Sequence, residues 1–491
     1  MFEKHHRTRN QRLAASPLAF RDDTTGFTGW RIGLELQRPV PTPAIAGERL
    51  FVGGGFGSYD FYAFDARSGA QAWHLGTTDD GPTAAVLAEG LAVFNTECCT
   101  LEVVEAATGR VLWEKWLGDP LLAQPAVMEG RVFMVYPRDG HHWLGAFTLK
   151  EGRPLWTTRL DHDVITAPVV AEGKVYLSTF DGTVWCIDPD TGRVQWSQQM
   201  QATSAPWVYQ GDVFVAHRDD APRGARQPGD PERTRPSEAI AAEPPPPRER
   251  TSRVDAAAGT LRSSYSSKLA GYLSKGSGQA RKRAYHASDS MVGFGHAPSS
   301  AKLHVAEGLI GEGLVSRTWR FQGSRPVVVN GILYDITGDR LEASDARTGD
   351  LLWSWQDAQA VEGERRLTPP AVANGRVWAG TWDGRILSWD ALLGDVRWAV
   401  KVGAPCHWQP AISDGWVYAG LEDGSLVGFA TGDPLDTDWP MWGGGCGHNG
   451  KPIPESRPET GAPLAPSPSD VIQPKTEKEA PAGLGLAPLA R

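Results

Sequence analysis

Between Val164 and Trp196, apolar and polar residues alternate in three short runs, VITAPVVAE, KVYLSTF and TVWCIDP. Period-two alternation is the signature of strands with one buried face. Glu172-Gly173 and Asp181-Gly182 separate the runs, and such X-Gly pairs supply the positive φ that a two-residue hairpin needs. The third run ends in the polar turn Asp188-Pro189-Asp190-Thr191-Gly192, and a fourth short strand carries Trp196. One unit is therefore a four-stranded meander of about forty residues, the size of a propeller blade. A single blade cannot bury both of its faces, so copies must stack.

Three markers count the copies. The first turn recurs at Gly47, Gly90, Gly130, Gly173, Gly211, Gly331, Gly375 and Gly415. A proline opens each first strand: Pro43, Pro82, Pro125, Pro168, Pro206, Pro326, Pro370 and Pro410. A turn glycine precedes a tryptophan by four residues at Gly69/Trp73, Gly109/Trp113, Gly152/Trp156, Gly192/Trp196, Gly349/Trp353 and Gly394/Trp398. Together they predict an all-β, eight-bladed propeller of four-stranded antiparallel blades. Burying one aromatic removes ~150–250 Å² from water, worth roughly 4–6 kcal/mol as an upper bound. Each repeat tryptophan is accordingly expected to wedge its blade against the next, and Trp196→Ala to loosen two blades at once.

Trp30–Leu34 reads as a fourth strand without the three before it, while the last repeat has three strands and no tryptophan four residues after Gly432. The sequence thus predicts that the N-terminal strand completes the last blade and removes its open edge. Deleting residues 1–36 is expected to cause aggregation, and deleting 1–26 to be harmless. Residues 1–28 are expected to be disordered, the propeller to fill 29–450, and the Pro/Ala-rich residues 451–491 to form a disordered tail. Blade five carries two expected insertions, 219–253 and 266–320, the first including Pro244–Pro247. It resumes at Val254–Leu261, with Tyr265 or nothing in place of the tryptophan. The segment Thr437–Gly450 is expected to pack over the rim.

Composition narrows the function. A net charge of −9 argues against a nucleic-acid partner, and five cysteines make no disulfide framework. No run approaches the ~20 apolar residues of a membrane span. The N-terminal residues carry neither a signal-peptide apolar core nor a lipid-acceptor cysteine, so the sequence as written reads as cytoplasmic, or as periplasmic or outer-membrane-associated if a leader is missing.

Repeats such as Asp188–Trp196 and Asp345–Trp353, of the form Asp-x-x-Thr-Gly-x-x-x-Trp, resemble the pyrroloquinoline-quinone (PQQ) enzyme repeat. Asp438-Trp439-Pro440-Met441-Trp442-Gly443-Gly444 is similar to a Trp-Pro-Met/Gly signature of PQQ-like repeat proteins. The resemblance covers roughly residues 30–218 and 321–450 and implies the propeller fold. It leaves two branches: quinoprotein dehydrogenases, which hold PQQ and calcium against a vicinal disulfide, and non-catalytic scaffolds of the BamB type from outer-membrane β-barrel assembly. Cys98-Cys99 stands at a second-hairpin turn, preceded by Glu97, and His141-His142 at the equivalent turn of the next blade. Calcium wants six to eight oxygens, and no such grouping is visible. Two adjacent histidines on a strand point to opposite faces and make no zinc site. Candidate binders at the channel mouth are Gln124, Thr166, Thr368 and Cys406-His407-Trp408-Gln409. The sequence reading favours a monomeric, non-catalytic scaffold with an unidentified protein partner and no cofactor; the alternative is a quinoprotein oxidoreductase with PQQ and calcium near Cys98-Cys99.

Overall fold

A computed structural model describes residues 16–445, except 56, 119–122, 165, 180, 203, 220–247, 266–325, 338–339 and 357–366. Among the described residues the chain forms 33 strands and no helix, hence none long and apolar enough to cross a membrane. The strands make eight antiparallel sheets, each a meander of neighbours in sequence. Blades one to seven span residues 44–76, 86–116, 126–160, 169–199, 207–265, 327–356 and 371–401. Blade eight comprises Ala411–Ser413, Trp416–Gly420 and Ser425–Ala430, and Thr28–Gly33 pairs with its third strand, Trp30 opposite Gly428. First strands of blades one to four touch in turn around the axis, as do those of blades five and six and of seven and eight, and blade one touches blade eight. The ring closes as predicted.

A meander puts the first and third turns of every blade on one face, here called lower. The second turns and the links between blades lie on the upper face. The lower third turn is an Asx turn: Asp188 Oδ1 accepts the N–H groups of Asp190 (3.1 Å) and Thr191 (2.9 Å). The Thr191 hydroxyl and amide hold the Asp188 carboxyl below the usual aspartate range. In seven blades a one-residue register shift follows between the third and fourth strands, as between Cys186 and Ile187. Such a bulge bends the outer strand, here just beside the repeat tryptophan.

That tryptophan locks two blades. Trp156 Nε1 donates to Pro189 O of blade four at 2.9 Å, and its ring lies under Gly192. A Cβ on Gly192 would sit 2.5 Å from the ring, and φ is +71°, so only glycine fits. The same donation, at 2.8–3.0 Å, joins Trp30 to Ala66, Trp73 to Ala106, Trp113 to Leu149, Trp196 to Ala256 and Trp353 to Ala391. Glycines 69, 109, 152, 259 and 394 lie over those five rings in turn. Trp398 departs from the rule. Its ring carries the Arg376 guanidinium at 4.7 Å and the edge of Phe27 at 5.2 Å.

Three expectations need correction, and one open choice, the residue at the tryptophan position of blade five, is decided for the second alternative, no aromatic. Residues 1–28 are not wholly disordered: Leu18–Arg21 forms a fifth strand on blade eight, Leu18 opposite Arg31. Phe20 packs 5.9 Å from Phe429, and Asp22 Oδ1 accepts the Lys401 N–H at 3.0 Å, so deleting 1–26 is no longer expected to be harmless. The first insertion begins later and ends earlier than 219–253, because Asp212–Asp219 and Arg248–Asp255 pair as far as Asp219–Arg248. Its remainder, the insertion 266–320 and the tail 451–491 lie outside the described residues. In blade five the tryptophan position is taken by Ser263, which stands opposite Arg253 as Trp196 stands opposite Cys186; Tyr265 lies two residues further on. Finally, Trp439–Trp442 is buried at the axis rather than laid over the rim.

Candidate functional site

The axis of the ring is closed by the chain itself. Trp439 pairs with Ile412, the innermost strand of blade eight, through Ile412 N–H to Trp439 O (2.7 Å) and Trp439 N–H to Ile412 O (3.1 Å). Pro440 O accepts the Ile45 N–H of blade one at 2.8 Å. The Trp439 ring stacks on Trp207 of blade five, centroids 5.8 Å apart and planes 6° from parallel. Met441 joins the apolar core shared by blades one to four. Below this segment Asp436, fully buried, pairs with Arg376 and accepts from Thr431 Oγ1 (2.6 Å) and Asn374 Nδ2 (3.1 Å).

The candidates at the channel mouth turn out to hold strand ends together. Thr368 Oγ1 accepts the Gly380 N–H at 2.9 Å, and Thr166 Oγ1 donates to Ser178 O at 3.3 Å. Thr83 with Asn95 and Ser204 with Ala216 repeat the first contact, always twelve residues apart. Gln409 bridges blade seven and the axial segment: Nε2 donates to Pro370 O (2.5 Å) and Oε1 accepts the Gly443 N–H (2.9 Å). His407 Nε2 lies 3.0 Å from Glu422 Oε2, its ring edge-on to Trp382 and Trp408. Gln124, Cys406 and Trp408 are buried, and burial pushes the Cys406 thiol up to about 12. These residues share the upper, inner rim, yet the hydrogen bonds of Thr166, Thr368 and Gln409 and the His407–Glu422 contact run to the chain itself.

Cys98 and Cys99 part company. Cys99 has φ +61° and is fully buried in the apolar cluster that contains Phe94, Leu101 and Leu117. Cys98 is half-buried on the upper face, its Sγ 3.6 Å from Asp80 Oδ1. Burial, with Asp79, Asp80 and Glu97 adding to it, pushes the Cys98 thiol up to about 12, so it is no ready thiolate nucleophile. Glu97, which the sequence offered only as a neighbour, has the more unusual chemistry. Its Oε1 accepts the Gly57 N–H of blade one at 2.7 Å, and burial lifts its carboxyl to about 7, with Asp80 adding to the rise. Nothing in the sequence beyond its place beside the cysteines marked it.

His142 turns Nε2 toward Asp163 (3.3 Å) and accepts the Val164 N–H on Nδ1 (3.0 Å), while His141 is exposed. Among the described residues no three His, Cys, Asp or Glu side chains converge as a metal site. A quinone held against vicinal sulfurs needs both presented to one ligand; here one sulfur lies inside the blade, and the axis holds Trp439 and Met441. The residues present do not fit PQQ seated at Cys98-Cys99.

Fold and repeat chemistry together define an eight-bladed propeller of the PQQ-repeat class. The family model described as outer membrane protein assembly factor BamB matches residues 17–115, 99–221 and 302–439, well over half of the chain, and the chain belongs to that family. BamB from Moraxella catarrhalis superposes with a TM-score of 0.53 at 13% identity, covering 82% of this chain and 96% of that one. Quinohemoprotein alcohol dehydrogenase from Comamonas testosteroni gives 0.53 at 14% identity, covering 83% and 77%. Both likenesses show the fold. In sequence, the dehydrogenase subunit of the quinone alcohol dehydrogenase of Gluconobacter oxydans is 37% identical over 90 residues. That stretch is 17% of this chain and spans only 12% of the dehydrogenase subunit.

Proposed function

We propose that this propeller is a non-catalytic scaffold that binds another protein, in the manner its family model's description suggests. The observation that carries the reading is the axial segment: Trp439, Met441 and Trp442 are buried where a channel ligand would sit, bonded to blades one and eight. With the axis filled by the chain's own segment, the two faces and their turns are open to a protein partner, the surfaces that loops on a rigid ring characteristically supply. The test is a titration with PQQ and calcium, followed by quenching of tryptophan fluorescence. The scaffold reading expects no saturable binding at tens of micromolar. Saturable one-to-one binding, lost in Cys98→Ser/Cys99→Ser, overturns it in favour of a quinoprotein oxidoreductase, the reading that the partial match to quinone dehydrogenases supports.

A further inference from the structure

The axial segment has the anatomy of a bound peptide. Its two backbone hydrogen bonds to Ile412 add it as a strand to the free inner edge of blade eight, the mode by which sheet edges capture extended peptides. Pro440 O takes the Ile45 N–H on the opposite side, and Gln409 Oε1 fixes the far end through the Gly443 N–H. Side-chain recognition comes from Trp439 lying flat on Trp207 and Met441 entering the core shared by blades one to four. The chain then turns over the indole. Gly443 and Gly444 have φ of +75° and +78°, and a Cβ on Gly444 would sit 3.0 Å from the Trp439 ring.

Two features mark this occupant as imperfectly accommodated. Asp438, just before Trp439, has φ +73° without being glycine, a conformation that stores strain. Trp439 Nε1, in a residue 2% exposed, has no hydrogen-bond acceptor among the described residues, and a buried donor without an acceptor is costly.

We propose that the axis of the ring is a peptide-binding groove that the chain fills with its own residues 438–444, and that an extended Trp-Pro-apolar-Trp-Gly segment of a partner protein takes their place. The groove supplies sequence-independent backbone bonds from Ile412 and Ile45 and a flat indole platform at Trp207. The chain's own segment acts as an internal competitor. The inference rests on the protein-binding reading above.

The experiment is fluorescence anisotropy of a labelled synthetic peptide of residues 436–445, titrated with the full chain and with its Trp439→Ala variant. The variant is expected to bind the peptide at least tenfold more tightly than the unaltered chain. A peptide with alanine for its first tryptophan is expected to bind neither. A folded Trp439→Ala chain with no gain overturns the proposal, as does binding that appears only with a doubled mass in light scattering, which marks exchange between copies. Should the variant fail to fold, hydrogen exchange on the unaltered chain decides. The Ile45 and Ile412 amides are expected to exchange at least tenfold faster than those of Lys174–Ser178; equal rates mean the segment opens only with the whole ring and overturn the proposal. No quinone enters these measurements, so failure here and failure of the scaffold reading are read separately.

Discussion

At the seam between blades three and four, Trp156 lies under Gly192 and donates to Pro189 O. At the seam between blades seven and eight, Trp398 carries Arg376 over its ring, and Arg376 in turn pairs with Asp433 (3.1 Å) and Asp436. Six seams follow the first pattern. The seam between blades five and six follows neither: Ser263 replaces the tryptophan, and Arg253 Nη1 donates to Arg347 O at 2.9 Å. Neutral indole–glycine seams draw on buried area and one neutral hydrogen bond, so salt and pH leave them nearly untouched. The charged seams depend on ion pairs. One ring thus holds joints of two kinds, and the charged joint sits where the axial segment is anchored.

Trp156→Ala is expected to have the largest effect, about 3 kcal/mol, because its half-buried ring loses both its packing under Gly192 and its bond to Pro189 O. Trp398→Ala removes a ring that is likewise half-buried but bears a cation in place of a glycine and an indole–carbonyl bond, and should cost about 1 kcal/mol less. Urea unfolding measures both, and equal losses would erase the distinction between the joints. Asp436→Ala should follow at about 1.5 kcal/mol, because it takes one of two carboxylates from the partly exposed Arg376. Its companion, Asp433, is held below the ordinary aspartate range by the Leu435 N–H, with Arg376 contributing. A lowered carboxyl contributes stability above its unfolded pKa and loses it as pH falls through the folded value. The charged seam should therefore loosen below about pH 4, seen as earlier proteolysis at Leu435 in acid.

Glu97 works with the opposite sign and sharpens the contrast within one seam. Blades one and two meet below through Trp73 and Gly109, and above through Gly57 N–H to Glu97. With a carboxyl lifted to about 7, the folded chain binds a proton that the unfolded chain releases near pH 4. Stability is then complete below that lower value and declines as pH rises through 7, by roughly 3–4 kcal/mol at most. Glu97→Gln should flatten the pH dependence of the melting temperature between pH 5 and 8 (about that range) and raise it at the alkaline end. An unchanged profile would place the Glu97 proton elsewhere.

How much was legible follows from this division. The indole–glycine joints recur at one spacing, so the repeat and its closure by Trp30 could be read directly. Ser263, four residues after Gly259, falls on that same spacing and could be read as standing at the missing tryptophan; Arg376 occurs once and has no period to reveal it. The strand-end contacts of Thr83, Ser204 and Thr368 do repeat at twelve residues, but hydroxyls near the proline of a first strand look equally like channel binders until the partner N–H is seen. The axial segment was visible as a Trp/Gly motif. Its destination was not, because nothing local distinguishes a tryptophan over the rim from one stacked on Trp207. Glu97 was passed over for the same reason: its unusual proton affinity comes from burial by a neighbouring blade.

The smallest expected effect tests whether the two kinds of joint are interchangeable. At the blade five–six seam, Arg253 is held by Asp212 (2.6 Å) and reaches the carbonyl of Arg347 in the third turn of blade six. At the regular seams an indole N–H reaches the carbonyl just after the turn Asp, as Trp353 reaches Ala391 after Asp390. Arg253 thus stands in for the missing indole, one residue further along the turn. Gly349, at φ +75°, keeps the conformation of the glycines that lie over indoles elsewhere. Arg253→Ala should cost about 1–2 kcal/mol, the worth of a charge-assisted bond to a carbonyl. Ser263→Trp alone should change little, since Arg253 occupies the approach. In the Arg253→Ala background the same substitution should recover about 1 kcal/mol, a coupling that a double-mutant cycle measures. Additive effects would mean that Arg253 and the indole do not compete for one turn, and that the blade five–six seam is a separate design rather than a regular joint with its tryptophan replaced.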